Sequence, residues 1–338
     1  MMSFLKPNFV LLFPGSILMF LMVSASATVS NNNPASIQVP VSDSFFSMKE
    51  VKSAGYRAIT NYKEGFIAVG SDGRIDWISV KGIITKSQIF TGEDFNSVLS
   101  DSKMIIVAGE KGILRISYDG EVFRKIENGS NRNINSLTFF NGIIIGGADQ
   151  GIIISGDTGG AFQENKLNLK GNIVSVSSRD TDCYGVTDEG EIIHSRDGIN
   201  WEIIDFNKVY AGYYKTCYFT KVLVTENRIA VSGTQTDGSP VVMFSTQGNV
   251  WTERPLYYTD DQGMKMFLDA SPNDLVYDET SDQYFLACDK GGLMQLPSCS
   301  QCNKLALIQK EDIEGISLLE NVMMLVGKNF VIKALNIR

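Results

Sequence analysis

The stretch "NSLTFFNGIIIGGADQGIIISGDTGGAFQEN" at residues 135–165 decides the fold of this chain. It contains short runs rich in Ile and Phe, separated by the turn sequences Asn-Gly and Asp-Gln-Gly. Such runs are typical of β-strands, and Asn-Gly between two of them predicts a hairpin turn. Because no 3.6-residue periodicity is sustained, the stretch predicts paired antiparallel strands rather than helices.

The same pattern recurs on both sides of this stretch. "NSVLSDSKMIIVAGEKGILRISYDGEVFRKI" occupies residues 96–126, and "VSVSSRDTDCYGVTDEGEIIHSRDGINWEII" occupies residues 174–204. The equivalent residues Gly109, Gly147 and Val186 lie 38 and 39 residues apart. Further copies with larger changes lie at residues 56–88, 214–255, 267–296 and 313–338. Units of about 40 residues with four strands each are typical of propeller blades.

These repeats predict an all-β fold, a seven-bladed β-propeller of four-stranded antiparallel blades, within a single domain at residues 43–338. Six blades are the alternative if the sixth unit is an insertion. The seventh unit supplies only three strands before the chain ends. The segment "DSFFSMKEV" at residues 43–51 is similar to the outer strands of other units. We therefore expect it to complete the last blade, which would leave no open sheet edge.

The N-terminal residues have the features of a targeting signal. Lys6 precedes an apolar run, and Ala25 and Ala27 then have the small-x-small spacing of a signal-peptidase site. Residues 1–27 are therefore predicted to be a signal peptide cleaved after Ala27, with a retained membrane anchor as the alternative. Residues 28–42 are expected to be a flexible lead-in. The predicted localisation is secreted or periplasmic.

The overall charge limits the classes of partner. The chain has 338 residues, 30 basic and 38 acidic side chains, one His and a net charge of -8. This balance argues against a nucleic-acid partner, because phosphate binding requires concentrated Lys and Arg. No metal or cofactor is expected, since the chain shows no second CxxC pair and no His pair.

The chain contains five cysteines, and export permits disulfides although an odd number leaves one thiol unpaired. The five are Cys183, Cys217, Cys288, Cys299 and Cys302. The last two form a CxxC motif, for which a local loop disulfide is the first interpretation. A zinc or redox site is the alternative, but the sequence offers neither further ligands nor a helix there.

A turn with the pattern S-x-D-x-G-x-x-[FW], or a shortened form of it, follows the third strand of four units. Its members are Ser117, Asp119, Gly120 and Phe123; Ser155, Asp157, Gly159 and Phe162; Ser195, Asp197, Gly198 and Trp201; and Ser245, Gly248 and Trp251. Ser and Asp side chains can accept hydrogen bonds from turn amides, Gly permits positive φ, and the aromatic ring can pack between sheets. These roles are structural.

The pattern resembles the Asp box, or BNR repeat, of sialidase-like propellers, a superfamily that also includes sortilin-like and photosystem assembly-factor-like propellers. The resemblance implies that the box lies between the third and fourth strands, away from the usual binding face. The similar sequence "SDGRIDW" at residues 71–77 aligns instead with the turns between second and third strands.

Two sets of residues are candidates for a site at the mouth of the channel. One set is the acidic turns between second and third strands, which could bind a cation or a basic partner or could simply be good turn formers. Its members are Asp72, Glu110, Asp149, Asp188, Glu189, Asp237 and Asp289.

The other set lies on the two longest connections between blades, residues 207–215 and 256–266, which we expect to be neighbours. Aromatic rings beside carboxylates are typical of sites for sugars or peptide side chains. The candidate ligand-binding residues are Arg57, Tyr210, Tyr213, Tyr214, Lys215, Tyr257, Tyr258, Asp260, Asp261 and Asp269.

An active sialidase should have an arginine triad and a Tyr/Glu pair. Arg57 stands near the position of the family's "[FY]RIP" motif, but the proline is absent and the other two arginines cannot be placed. We therefore predict an exported, non-catalytic binding or scaffold propeller that recognises a glycan or protein partner. The alternative is a sialidase-like or xyloglucanase-like glycoside hydrolase that uses mouth carboxylates, namely Asp269, which we predict at the start of an inner strand, with Asp260 or Asp261.

Overall fold

The computed structural model describes residues 54–101, 103–159, 162–298 and 303–337. These residues form the predicted seven-bladed β-propeller, in which each blade is a meander of antiparallel strands. The prediction of seven blades is confirmed, and the alternative of six is wrong. The predicted signal peptide, the lead-in, the strand at residues 43–51 and the CxxC motif all lie outside the described residues.

The first four blades each contain four strands, ordered from the centre of the ring outwards. Blade 1 consists of β1 (Tyr56–Tyr62), β2 (Gly65–Gly70), β3 (Arg74–Ser79) and β4 (Ile84–Ile89); blade 2 of β5 (Phe95–Ser100), β6 (Ile105–Gly109), β7 (Leu114–Ser117) and β8 (Arg124–Lys125); blade 3 of β9 (Ile134–Phe140), β10 (Ile143–Ala148), β11 (Ile152–Gly156) and β12 (Phe162–Lys166); blade 4 of β13 (Ile173–Arg179), β14 (Asp182–Thr187), β15 (Glu191–Ser195) and β16 (Glu202–Asp205).

The remaining blades carry two additional elements between them. A short helix, α1 (Phe206–Val209), precedes blade 5, and a hairpin precedes blade 6. Blade 5 consists of β17 (Cys217–Val224), β18 (Ile229–Gln235), β19 (Pro240–Ser245) and β20 (Thr252–Glu253); the hairpin of β21 (Tyr257–Thr259) and β22 (Lys265–Phe267); blade 6 of β23 (Pro272–Asp278), β24 (Gln283–Cys288), β25 (Gly292–Pro297) and β26 (Lys304–Leu307); blade 7 of β27 (Ile313–Leu319), β28 (Val322–Gly327) and β29 (Ile332–Asn336).

The ring closes between the first and last blades. Each inner strand contacts the inner strand of the next blade, and β27 contacts β1. The backbone N–H of Asn329 donates to the carbonyl of Ala54 at 2.8 Å, and Gly55 pairs with Lys328. Blade 7 has three strands within the described residues, so the outer strand at residues 43–51 stays a prediction.

Side chains of the inner strands join neighbouring blades at equivalent positions in several of the repeats. The backbone N–H of Leu137 in blade 3 donates to Ser97 Oγ in blade 2 at 3.1 Å. The N–H of Val176 in blade 4 donates to Ser136 Oγ at the same distance. These bonds satisfy polar groups that the packing of one blade against another would otherwise leave without partners.

Seven apolar clusters lie between neighbouring blades and form the core of the propeller. Strand β6, with the sequence IIVAG, is buried along its whole length because neighbouring blades cover both of its faces. The Asn-Gly hairpin turn of blade 3 is confirmed: Asn141 and Gly142 both have positive φ, at 50° and 79°. No helix in the described part of the chain is long and apolar enough to cross a membrane.

The three described cysteines are unpaired and buried. Burial raises the pKa of Cys183 to about 12 and that of Cys217 to about 11. Since the thiolate is the reactive form of cysteine, these thiols are apolar packing groups rather than nucleophiles.

Candidate functional site

Two of the tyrosines on the connection between blades 4 and 5 are part of the packed scaffold. The Tyr210 hydroxyl donates to the carbonyl of Asn249 at 2.7 Å, and the Tyr214 hydroxyl donates to the carbonyl of Trp251 at 2.9 Å. Both rings lie against the fully buried Phe206 of α1, with centroid separations of 4.6 and 5.9 Å. These two side chains therefore fix the connection to blade 5, and the single O–H donor of each is already used within the protein.

The other two predicted residues of this connection are directed to solvent or to the adjacent turn. Tyr213 is 84% exposed, the largest value among the exposed apolar side chains of the described residues. The ammonium group of Lys215 lies 2.5 Å from the carboxylate of Asp237, in the turn between β18 and β19. That hydrogen bond, together with one from Ser239, lowers the pKa of Asp237.

Tyr257 and Tyr258 lie in the hairpin β21–β22, beside blade 6. Tyr257 is opposite Phe267, and Lys265 Nζ lies 3.6 Å from the centroid of the Tyr257 ring. Tyr258 pairs with Asn303, which precedes the outer strand β26 of blade 6. The structure thus divides the predicted tyrosines between two places, one on blade 5 and one at the outer edge of blade 6.

The three aspartates of the predicted site have separate surroundings. Asp260 accepts hydrogen bonds from the backbone N–H groups of Gln262 and Met264, and so forms the hairpin turn. Asp261 is exposed. Asp269 was expected at the start of an inner strand, but it lies in the connection before β23, where its carboxylate is 3.0 Å from Lys290 Nζ. The extra residues of the hairpin move the start of blade 6 from Phe267 to Pro272.

A ring of seven bulged residues surrounds the channel mouth. Arg57 is the only one of them among the candidate ligand-binding residues predicted from the sequence. In every inner strand, one residue near the start is skipped in the pairing with the second strand. These residues are Arg57, Asn96, Asn135, Val174, Thr220, Asn273 and Glu314. The recurring triplets "FNS", "INS" and "PND" at the start of three units were the available signal.

Polar members of this ring bond to the next blade. Asn96 Nδ2 donates to the carbonyl of Ile134 at 3.2 Å, and Asn135 Nδ2 donates to the carbonyl of Ile173 at 3.1 Å. Thr220 Oγ1 donates to the next inner strand in the same way. A β-bulge turns its side chain out of the regular ladder, so these side chains can reach the neighbouring strand.

Arg57 is bonded within the scaffold at the seam of blades 1 and 2. Its guanidinium donates to Asn96 Oδ1 at 2.7 Å and to Glu110 Oε1 at 3.2 Å, and it lies 3.6 Å from Asp94. The donors of this guanidinium are thus used by carboxylate and amide oxygens of the protein itself. Arg57 is also the single arginine among the seven bulged residues, whereas an active sialidase should have an arginine triad.

The acidic turns between second and third strands are also hydrogen-bonded. Asp149 accepts from Asn133 Nδ2 and from Asn135 Nδ2, at 2.8 and 3.0 Å. Asp289 accepts from Asn273 Nδ2 at 2.8 Å. These carboxylates orient the bulged asparagines, which gives them a structural role in blades 3 and 6.

Glu314 differs from the other acids of the mouth. Its side chain is 28% exposed, burial raises its pKa, and Lys328 Nζ at 3.8 Å only partly opposes that effect. Burial also acts to raise the pKa of Asp312, but hydrogen bonds from Lys328 and from the backbone of Lys290 outweigh it and lower this pKa. The mouth therefore contains two carboxyl groups with pKa values shifted in opposite directions.

The turns that follow the third strands have the geometry expected from their residues. In blade 2, the N–H of Gly120 donates to Ser117 Oγ at 3.0 Å, and Asp119 Oδ1 accepts from the N–H groups of Glu121 and Val122. Gly120 has φ of 75°, a conformation that favours glycine. The Ser71–Gly73 turn lies between β2 and β3, which confirms that "SDGRIDW" is not a member of this series.

The same turn recurs in blades 4 and 5, where Gly198 and Gly248 have φ of 75° and 77°. In blade 3 the sequence matches the full pattern best, yet the turn differs. There the N–H of Gly159 donates to Asp157 Oδ1 at 2.9 Å, and Gly159 does not have a positive φ.

No protein-family model matches this chain, and no curated protein matches it. Solved propellers are similar to it. The WD40 β-propeller domain of Doa1 has a TM-score of 0.63 at 11% identity, covering 83% of this chain and 92% of that one. YCF48 bound to D1 peptide has a TM-score of 0.61 at 15% identity, covering 83% and 91%.

A third similar structure is the computationally designed Ika8 protein. Its TM-score is 0.58 at 11% identity, and the match covers 84% of this chain and 96% of that chain. At such identities the similarity establishes the propeller fold and leaves function to the residues of the site.

Proposed function

We propose that this protein is an exported, non-catalytic binding propeller whose partner is a polypeptide. The observation that carries this proposal is a set of exposed apolar side chains on the two long connections. Tyr213 is 84% exposed on one connection, Met264 and Met266 are 53% and 41% exposed on the other, and Phe267, at the end of β22 directly after it, is 70% exposed. Aromatic and methionine side chains are enriched where proteins bind one another.

The rigidity of the connections supports the same proposal. The hydroxyl groups of Tyr210 and Tyr214 fix one connection, and the Tyr258–Asn303 pair fixes the other. A fixed anchor loses little conformational entropy on binding, so more of the contact energy contributes to affinity. YCF48, a propeller of similar fold, is described as bound to D1 peptide, which is consistent with a polypeptide partner here.

Photo-crosslinking tests the proposal. A benzoylphenylalanine residue is introduced at Tyr213, at Phe267 or, as a control, at Ile199, which is 67% exposed in a turn of blade 4. We expect a crosslinked polypeptide from the first two positions and none from Ile199. A crosslinked species that disappears after enzymatic deglycosylation would favour a glycan partner instead.

The polypeptide identified from the crosslink is then prepared on its own, and its affinity for the propeller is measured by calorimetry. Phe267→Ser should weaken binding at least tenfold, which corresponds to about 1.4 kcal/mol, because a hot-spot side chain would be lost. Ile199→Ser should leave the affinity unchanged. Equal affinities for the wild type and the Phe267→Ser variant would refute a binding role for this connection.

Two further parts of the proposal concern origin and location. The Ser117–Gly120 turn geometry supports a relation to the Asp-box propellers, and the N-terminal sequence supports export. Sequencing the N-terminus of the protein recovered outside the cytoplasm should show that it begins at Thr28. An N-terminus at Met1 in that fraction would contradict cleavage after Ala27.

A glycoside hydrolase is the second candidate function, and Glu314 is the observation in its favour. Enzymes of this class pair a carboxyl group of raised pKa, as general acid, with an ionised carboxylate. Glu314 and Asp312 have this pattern of pKa shifts. A glycosidase panel on the wild type and the Glu314→Gln variant tests it: activity lost in the variant would favour the enzyme, and no activity in either would exclude it for those substrates.

A further inference from the structure

A cavity of about 530 Å³ lies between blades 4 and 5, among the turns that follow the first and third strands. None of its lining residues lies on the two long connections, residues 207–215 and 256–266. Its principal lining residues are Arg179, Asp182, Arg196, Arg228, Gln247 and Asn249. Three arginines from separate positions of the sequence therefore meet at one polar cavity.

The residue that ends the inner strand of blade 4 makes this seam more polar than the equivalent seams after blades 1 and 3. Strands β1 and β9 end in the aromatic residues Tyr62 and Phe140, which lie beside the glycine of the turn in the next blade. A Cβ placed on Gly120 would lie 3.4 Å from the Tyr62 hydroxyl. In blade 4 the equivalent position is Arg179, which places a charged side chain at this seam.

One of the three arginines is already neutralised. Arg179 Nη1 lies 2.5 Å from Glu279 in blade 6, and Arg179 Nε lies 4.0 Å from Asp180. Arg228 is different: within the described part of the chain, its guanidinium makes no hydrogen bond or ion pair. Its charge contributes, after the hydrogen bond from Tyr277, to the lowered pKa of Asp282, and its N–H donors line the cavity.

Arg196 is also incompletely paired. Its side chain is 80% exposed, and its nearest carboxylate oxygen, Asp182 Oδ1, is 3.8 Å away. The same oxygen lies 2.7 Å from His194 Nε2, so His194 is its closer partner. The other acids of the cavity, Asp180 and Glu226, are exposed at its rim.

We propose that this cavity is a binding site for an oxyanion, a carboxylate or phosphate group held by Arg196 and Arg228 together. Guanidinium groups match the two oxygens of such anions with parallel hydrogen bonds. Thr246, Gln247 and Asn249 on the blade 5 side supply neutral polar groups for the rest of the ligand. The cavity at the seam of blades 1 and 2, of about 360 Å³, is lined by Tyr62 and Trp77 and contains no arginine.

Calorimetric titration of the full chain with inorganic phosphate and with citrate tests the site. We expect one of the two anions to bind, phosphate if the natural group is a phosphate and citrate if it is a carboxylate. Arg228→Met and Arg196→Met should each weaken that binding at least tenfold, because each removes a charge-assisted fork of donors. Arg124→Met, on the outer strand β8, removes the same charge elsewhere and should not change the affinity.

Thermal unfolding of each variant shows whether it is folded. Because the Arg196 side chain is 80% exposed, Arg196→Met should leave the fold intact and so tests the site even if Arg228→Met does not fold. Binding of neither anion would overturn the proposal. Equal weakening by Arg124→Met would also overturn it, because the effect would then come from the net charge of the protein. Neither result bears on Tyr213 and Phe267, so the proposed polypeptide partner is tested separately.

Discussion

The hydroxyl of Tyr56 donates a hydrogen bond to the carboxylate of Asp76, a fully buried side chain that also accepts a hydrogen bond from Arg74 at 2.6 Å. Phe330 of blade 7 packs against both partners, with its ring centroid 5.2 Å from that of Tyr56 and 4.8 Å from the Arg74 guanidinium. Burial, followed by the hydrogen bond to Asp76, raises the pKa of Tyr56. This charged network therefore lies where the first and last blades meet.

Replacing Asp76 should destabilise the whole propeller. Asp76→Ala leaves the buried Tyr56 hydroxyl and the partly exposed Arg74 guanidinium without their shared partner, so we expect a loss of about 1–3 kcal/mol in the free energy of unfolding. Urea denaturation measures it. The exposed Asp261→Ala is the control and should change stability by less than about 0.5 kcal/mol. Similar values for the two variants would show that the network does not stabilise ring closure.

Two glycines with similar φ but different surroundings allow the cost of backbone strain to be measured apart from the cost of steric overlap. Gly248 and Gly263 have φ of 77° and 79°, but a Cβ on Gly248 would lie 2.5 Å from the Tyr184 hydroxyl, whereas one on Gly263 would meet nothing within 4 Å. Gly263→Ala should cost about 1–2 kcal/mol from the left-handed conformation alone. Gly248→Ala should cost more in denaturant unfolding. Equal costs would mean that blades 4 and 5 are less closely packed there.

Tyr213 and Tyr214 are adjacent in sequence and should respond differently to substitution. Tyr214→Phe removes the hydrogen bond to Trp251, so we expect a loss of about 1 kcal/mol in stability. Tyr213→Phe should leave the unfolding free energy within about 0.5 kcal/mol of the wild type. Chemical denaturation of both variants gives the comparison. A larger effect at Tyr213 would contradict the assignment of Tyr214 as the packed residue.

Acid should weaken the turn of blade 2. Hydrogen bonds from the backbone N–H groups of Val122 and then Glu121 lower the pKa of Asp119 from 3.8 to about 2. Since the folded state favours the ionised carboxylate, its contribution is present above pH 3.8 and is lost as pH falls towards about 2. The stability difference between wild type and Asp119→Asn should therefore shrink over that interval when unfolding is measured across pH. A difference independent of pH would exclude this linkage.

The number of blades was predictable from the sequence because each blade is specified by neighbouring residues. Alternation of apolar runs with turn residues sets strands and hairpins, and the same spacing of Gly109 and Gly147 then repeats them. The turn at Ser117–Gly120 was predictable for the same reason, since its hydrogen bonds join residues two and three positions apart.

The candidate site was less predictable, since its residues are positioned by contacts between blades. The sequence identified two tyrosine-rich connections but could not show that Tyr210 and Tyr214 would bond to carbonyl groups 37–39 residues later. It also placed Asp269 at the start of an inner strand, because the additional hairpin before blade 6 is not visible as a separate unit.

The sequence alone determined the repeat, the strand chemistry and the residues of each turn, because these depend on interactions between residues close along the chain. Only the tertiary structure decided which side chains meet across a seam. Arg179, Arg196 and Arg228 are unremarkable turn and strand-end residues in the sequence, and the packing of blade 4 against blade 5 places them around one cavity. The reason is physical: contacts between blades depend on the size and charge of residues far apart in sequence, such as Arg179 in blade 4 and Arg228 in blade 5.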